Sequence, residues 1–79
     1  MSLTIAMSLN LKGLSCPLPI VKTAKAMKDI APGDMVEVFA TDPGSVPDFK
    51  AWAQSTGNQL VESTQEGAVY RFVLKKKGF

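Results

Sequence analysis

The chain contains no histidine and a single cysteine. Without histidine it lacks the commonest general base and the commonest metal ligand. A Cys–His hydrolase and a zinc site both need partners that are missing here, so no metal or other cofactor is expected. One cysteine also excludes an internal disulfide and a Cys-x-x-Cys redox pair. No apolar run approaches the roughly 18 residues that cross a bilayer. Met1 to Ala6 lack the positively charged start and long apolar stretch of a signal peptide, so the expected compartment is the cytoplasm. Charge is sparse as well. The net charge is +2, with no arginine cluster to follow a nucleic acid backbone and no exposed aromatic pair on which bases could stack.

What is present suffices for one domain. The 79 residues are 46% hydrophobic and 20% charged, the balance of a globular chain. Residues 1–7 show no clear period and are expected to form a flexible N-terminal extension, with the folded domain over 8–76 and a tail at 77–79. Ser8-Leu9-Asn10-Leu11-Lys12 alternates polar and apolar as a half-buried strand does. After the break at Gly13 to Ser15, Pro17 suits the first position of a helix, and Pro19 lies in the same first turn, where no helical N–H is needed. Ile20, Val21, Ala24 and Met27 then predict one apolar stripe, and Lys22, Lys25 and Lys28 a basic one. The helix should end near Asp29 or Ile30, before the turn signal Ala31-Pro32-Gly33-Asp34.

Residues 35–40 have the composition of a central strand. Ser45-Val46-Pro47-Asp48 matches a capping box with Ser45 as N-cap, opening a second helix that buries Val46, Phe49, Trp52 and Ala53 and stops at Gly57. Two strands follow, 59–63 and 69–75, with a tight turn at Glu66-Gly67. In the last strand Tyr70, Phe72 and Leu74 share one face. The order β-α-β-α-β-β, with right-handed crossovers, predicts an α/β two-layer sandwich with both helices on one face of the sheet. The other face stays open, with Phe39 or Val73 on it as a partner surface.

In such a sheet, functional groups gather where strand ends meet helix starts. The two junctions are 13–19, which holds Cys16, and 41–48, which holds Asp42 and Asp48. A helix N-terminus favours a nearby anion and lowers a thiol pKa, giving a reactive thiolate fraction at neutral pH. A lone cysteine is also often a small buried hydrophobe. The residues themselves leave both readings open.

The segment Leu11-Lys12-Gly13-Leu14-Ser15-Cys16-Pro17-Leu18-Pro19 resembles the Cys-Pro-x-Pro motif of the TusA family of SirA-like sulfur carriers. Thr41-Asp42-Pro43-Gly44-Ser45-Val46-Pro47-Asp48-Phe49 resembles that family's Asp-Pro turn and helix Asp. The resemblance covers residues 8 to 76. It implies a fold like the C-terminal domain of bacterial translation initiation factor three, a mixed four-stranded sheet of order 1-2-4-3 with strand 4 antiparallel. It implies that Cys16, with Gly13, Pro17 and Pro19 shaping its loop, takes sulfane sulfur as a persulfide from a cysteine desulfurase or rhodanese. With no second thiol, an acceptor protein must discharge it.

By the family pattern Asp42 and Asp48 shape the partner surface, although the residues themselves favour a turn former and a helix cap. Lys22 and Lys25 read first as a solvated helix face and second as charges that dock an acidic rim. Members that thiolate tRNA carry Asp-Asp-Pro and an Arg before the helix Asp. Thr41 and Pro47 stand at those places here, so a tRNA role is expected only indirectly, if at all. The competing reading is a regulatory or RNA-binding module with an incidental cysteine.

Overall fold

The computed structural model describes residues 5–15 and 17–78. Strand β1 (Ile5–Asn10) leads through a loop to helix α1 (Leu18–Met27), then β2 (Met35–Ala40), α2 (Ser45–Thr56), β3 (Gln59–Glu66) and β4 (Val69–Lys75). The sheet order is β1-β2-β4-β3, with β1 parallel to β2 and β4 antiparallel to both of its neighbours. This is the sandwich the element order predicts.

β2 sits centrally because its alternation serves two surfaces. Val36, Val38 and Ala40 are fully buried toward the helices, while Met35, Glu37 and Phe39 face the open side. Phe72 and Leu74 of β4 join them, and Phe49 of α2 closes the core with its ring 4.6 Å from that of Phe72. Trp52 packs edge-on against Phe49 at 6.4 Å.

β1 begins three residues earlier than its polar–apolar alternation predicts and ends at Asn10, not Lys12. Met7 and Leu9 pack against the core, but Ala6 before them is apolar and the register with β2 shifts between Ile5 and Met7, so no contrast marked the period. Of the expected N-terminal extension, residues 5–7 therefore belong to the sheet, and 1–4 lie outside the described residues. β3 runs past Ser63 to Glu66 because an edge strand gains its hydrogen bonds from β4 without burying side chains. The hairpin turn is Gly67-Ala68, one residue later than expected. Gly67 has φ +61, as the first central position of a type II′ turn requires.

The helices differ in phase from the prediction. α1 buries Pro19, Thr23, Ala26 and Met27, while Val21 is 54% exposed. Thr23 Oγ1 donates to the Pro19 carbonyl at 2.8 Å, so its hydroxyl is satisfied within the helix and the residue can face the core. Reading Thr23 as polar turned the expected stripe toward Val21. The helix also stops at Met27. Ser45 is the first residue of α2 and Gly44 is its cap, with no side-chain cap bond. Val46 is exposed, and Ser45 takes the buried place instead.

Lys76 and Lys77, beyond the end of β4, are fixed to the body. Lys76 N–H donates to Asp34 C=O and Gly33 N–H to Lys76 C=O, at 2.8 and 3.0 Å. Lys76 Nζ donates to the Ile30 carbonyl at 2.7 Å, and Lys77 N–H to Asn58 Oδ1 at 2.7 Å. The stem of Lys77 lies over Gly57 at the end of α2, a helix with no basic residue in its own last turn.

On the open face one polar chain crosses all four strands. Ser8 Oγ donates to Glu37, whose carboxylate meets Arg71 Nε at 2.6 Å, and Arg71 Nη1 reaches Glu62 at 2.9 Å. The Arg71 hydrogen bond is the main cause holding the Glu37 carboxyl below its ordinary value. Val73 pairs in register with Glu37 and Glu62 and is fully buried among these side chains. Phe39 remains half-buried. No helix among the described residues is long and apolar enough to cross a membrane.

Candidate functional site

Hydrogen bonds to β2, to the loop after it and within the loop itself shape the connection between β1 and α1. Leu11 N–H continues the parallel ladder to the Phe39 carbonyl at 2.8 Å, and Leu14 N–H closes back on the Leu11 carbonyl at 3.3 Å. That turn places Gly13 at φ +87, the conformation a type II turn needs at its third residue. Among the described residues no atom lies within 4 Å of where a Gly13 Cβ would be, so the positive φ is what selects glycine. A further bond runs from Gly13 N–H to Thr41 Oγ1 at 2.9 Å and ties this loop to the one after β2.

Cys16 itself lies outside the described residues. On its far side Leu18 N–H donates to the Ser15 carbonyl at 2.9 Å, and Val21 N–H to the Pro17 carbonyl at 3.1 Å. Pro17 is the cap of α1 and is exposed. Pro19 is the second helical residue and is fully buried. Sequence places Pro17 one step further into the helix than the structure does. Pro19 anchors the first turn to the core, where its missing N–H costs nothing. α1 carries no acidic residue in its first turn, so its own side chains leave the positive end of the helix unneutralised.

The second junction is organised by Asp42. Its carboxylate accepts from Gly44 N–H at 3.0 Å, and its carbonyl accepts from Ser45 N–H at 2.9 Å. The Asp48 N–H expected to bond Ser45 goes instead to the Gly44 carbonyl at 3.2 Å, and the buried Ser45 Oγ has no hydrogen-bond partner among the described residues. Asp48 is half-buried in the first turn of α2. Lys22 and Lys25 lie exposed on α1.

Two features escaped the sequence. Thr41 was noted only as a departure from a motif, yet its side chain joins the two junctions. Leu18, 42% exposed, and Val21 share a helix face with Lys22 and Lys25, at spacings of three, four and seven residues. The signal for that stripe was the proline pair, which fixes the helix phase through buried Pro19.

The family model for sulfurtransferase TusA matches residues 7–76. The chain belongs to the TusA family. The chain is 48% identical over 68 residues to sulfur carrier protein TusA of Allochromatium vinosum, a match covering 86% of this chain and 90% of the relative. YrkF of Bacillus subtilis is 50% identical over 70 residues, covering 89% of this chain, but the matched segment is 38% of that longer protein. Among solved structures, the SirA-like protein of Desulfitobacterium hafniense superposes with a TM-score of 0.79 over 91% of this chain and 99% of the other. At 20% identity that likeness concerns the fold. Sulfur carriage is thus the family's business, and the TusA-type Cys-Pro-x-Pro segment is where this chain places its one thiol.

Proposed function

We propose that this TusA-family protein is a cytoplasmic one-thiol sulfur relay working through Cys16. The thiolate attacks the outer sulfur of a donor persulfide, on a cysteine desulfurase or a rhodanese, and the donor thiolate leaves. Cys16 then carries a persulfide. An acceptor protein's thiolate attacks its outer sulfur and Cys16 departs as a thiolate, with no net oxidation in either step. The protein acts as a stoichiometric sulfurtransferase, and any tRNA is reached only through later carriers.

The observation that carries this reading is the Cys-Pro-x-Pro segment of a TusA-family chain at the start of α1. Gly13, Pro17 and Pro19 shape the loop, and Asp42 and Asp48 line the neighbouring junction. The stripe of Leu18, Val21, Lys22 and Lys25 supports docking of a partner with an apolar patch beside an acidic rim.

The test is to incubate the protein with a desulfurase and cysteine and record its intact mass. Wild type should gain one sulfur atom, removable by a reducing thiol, and Cys16→Ser should gain none. Equal gain by the variant, or no gain by wild type, overturns the reading. Lys22→Glu with Lys25→Glu should slow loading about tenfold at low salt and much less at high salt.

A further inference from the structure

The ladder between β1 and β2 does not stop at its last backbone rung. Beyond the bond from Leu11 N–H to the Phe39 carbonyl, the next donor along the first segment is Gly13 N–H. A parallel ladder would offer it the backbone carbonyl of residue 41. It takes the side-chain oxygen of that residue instead, at 2.9 Å. A hydroxyl has replaced a rung, at the point where the chain leaves the sheet on its way to Cys16.

We infer that Thr41 is a positioning residue for sulfur transfer, its hydroxyl holding the Cys16-bearing segment against β2 so that the thiol is presented in one arrangement. This inference rests on the sulfur-relay reading. The geometry makes the segment short at both ends. Gly13 stands three residues before Cys16, and α1 begins two residues after it. An anchor at Gly13 that is in place before a partner arrives leaves less ordering for the transfer step. The adjacent Asp42 accepts from Gly44 N–H in the turn into α2, while Thr41 Oγ1 accepts from the first loop. The bond is exposed, so its loss costs the fold little. Its effect falls on presentation.

The decisive comparison is wild type, Thr41→Val and Thr41→Ser, each charged by a desulfurase and cysteine. Valine keeps the shape and removes the acceptor; serine keeps the acceptor. Loss of one hydrogen bond predicts that Thr41→Val loads about three- to tenfold more slowly. The loss should appear in kcat, with KM for the donor within about twofold, because the docking stripe on α1 is untouched. Exchange of the Gly13 amide should quicken, and the melting midpoint should stay within about 3 °C of wild type. Thr41→Ser should restore loading to within about twofold.

Wild-type loading by Thr41→Val overturns the inference, as does a serine variant as slow as valine. So does an equal loss of loading in Leu60→Ala, a destabilising change on the far strand β3. If wild type itself gains no sulfur, the relay reading falls and this inference with it. If wild type loads and Thr41→Val loads as fast, the Thr41 role alone falls.

Discussion

α1 enters on Pro17 and Pro19, with no carboxylate in its first turn and no side-chain cap bond. α2 enters on a loop in which Asp42 accepts two backbone amides, with Asp48 in its first turn and Ser45 buried beneath it. Both helices point their positive ends at the same edge of the sandwich, but only α2 answers that charge with its own acids. The difference also extends to anchoring. α2 is held by the Phe49 ring in the centre of the core, whereas α1 buries smaller side chains, Pro19, Thr23, Ala26 and Met27. A helix start that serves a nucleophile gains from being left positive, and one that shapes a neighbouring loop gains from being filled. The proposed sulfur relay places its thiol at the first kind.

The strongest way to break this contrast is to remove the anchor of α2. Phe49→Ala should cost about 3–5 kcal/mol, measured by urea unfolding, and should loosen the 41–44 loop with the helix. A smaller change makes α1 resemble α2. Leu18→Asp puts a carboxylate in the first turn of α1 and should stabilise the helix by about 0.3–1 kcal/mol. The same change should slow alkylation of Cys16 by iodoacetamide at neutral pH about two- to fivefold. A stabilised protein with an unchanged alkylation rate would show that the helix charge does not reach the thiol.

Ser45→Ala separates two accounts of the α2 start by the sign of its effect. Removing a buried hydroxyl that has no partner among the described residues should leave stability unchanged or raise it by up to about 1 kcal/mol, whereas loss of a capping serine would lower it by about 1 kcal/mol. The smallest effect lies away from both helix starts. The Glu37 carboxyl sits below its ordinary value of 4.5, so its stabilisation is complete above that pH and fades as acid carries the pH down through its folded-state value. Glu37→Gln should cost about 0.5 kcal/mol at neutral pH, flatten the loss of stability below pH ~4.5, and leave sulfur loading untouched.

Much of the fold was legible because its signals were local. The composition of β2, the alternation in β4, the turn residues at 31–34 and the order of elements together specify the sandwich, and the resemblance supplied the strand order. The helix faces were less legible. Thr23 is polar by composition but buried by virtue of its bond to Pro19, and no apolar count sees that. The capping box at Ser45 failed because the helix starts one residue earlier, and the Asp48 N–H that Ser45 would have capped goes to the Gly44 carbonyl. The site shows the same division. Gly13, Pro17 and Pro19 could be found along the chain, but the link from Gly13 to Thr41 joins residues 28 apart and exists only once β1 and β2 pair.

Ile5 and Lys75 pair with the same residue, Met35, from opposite sides. Both chain ends of the sandwich therefore leave from the edge remote from the loops at 11–17 and 41–44. Sequence joined to either end of the sandwich would extend away from those loops. The unit is thus suited to being spliced into longer polypeptides with those loops still facing outward. A matched segment that fills 38% of YrkF is what such portability would produce.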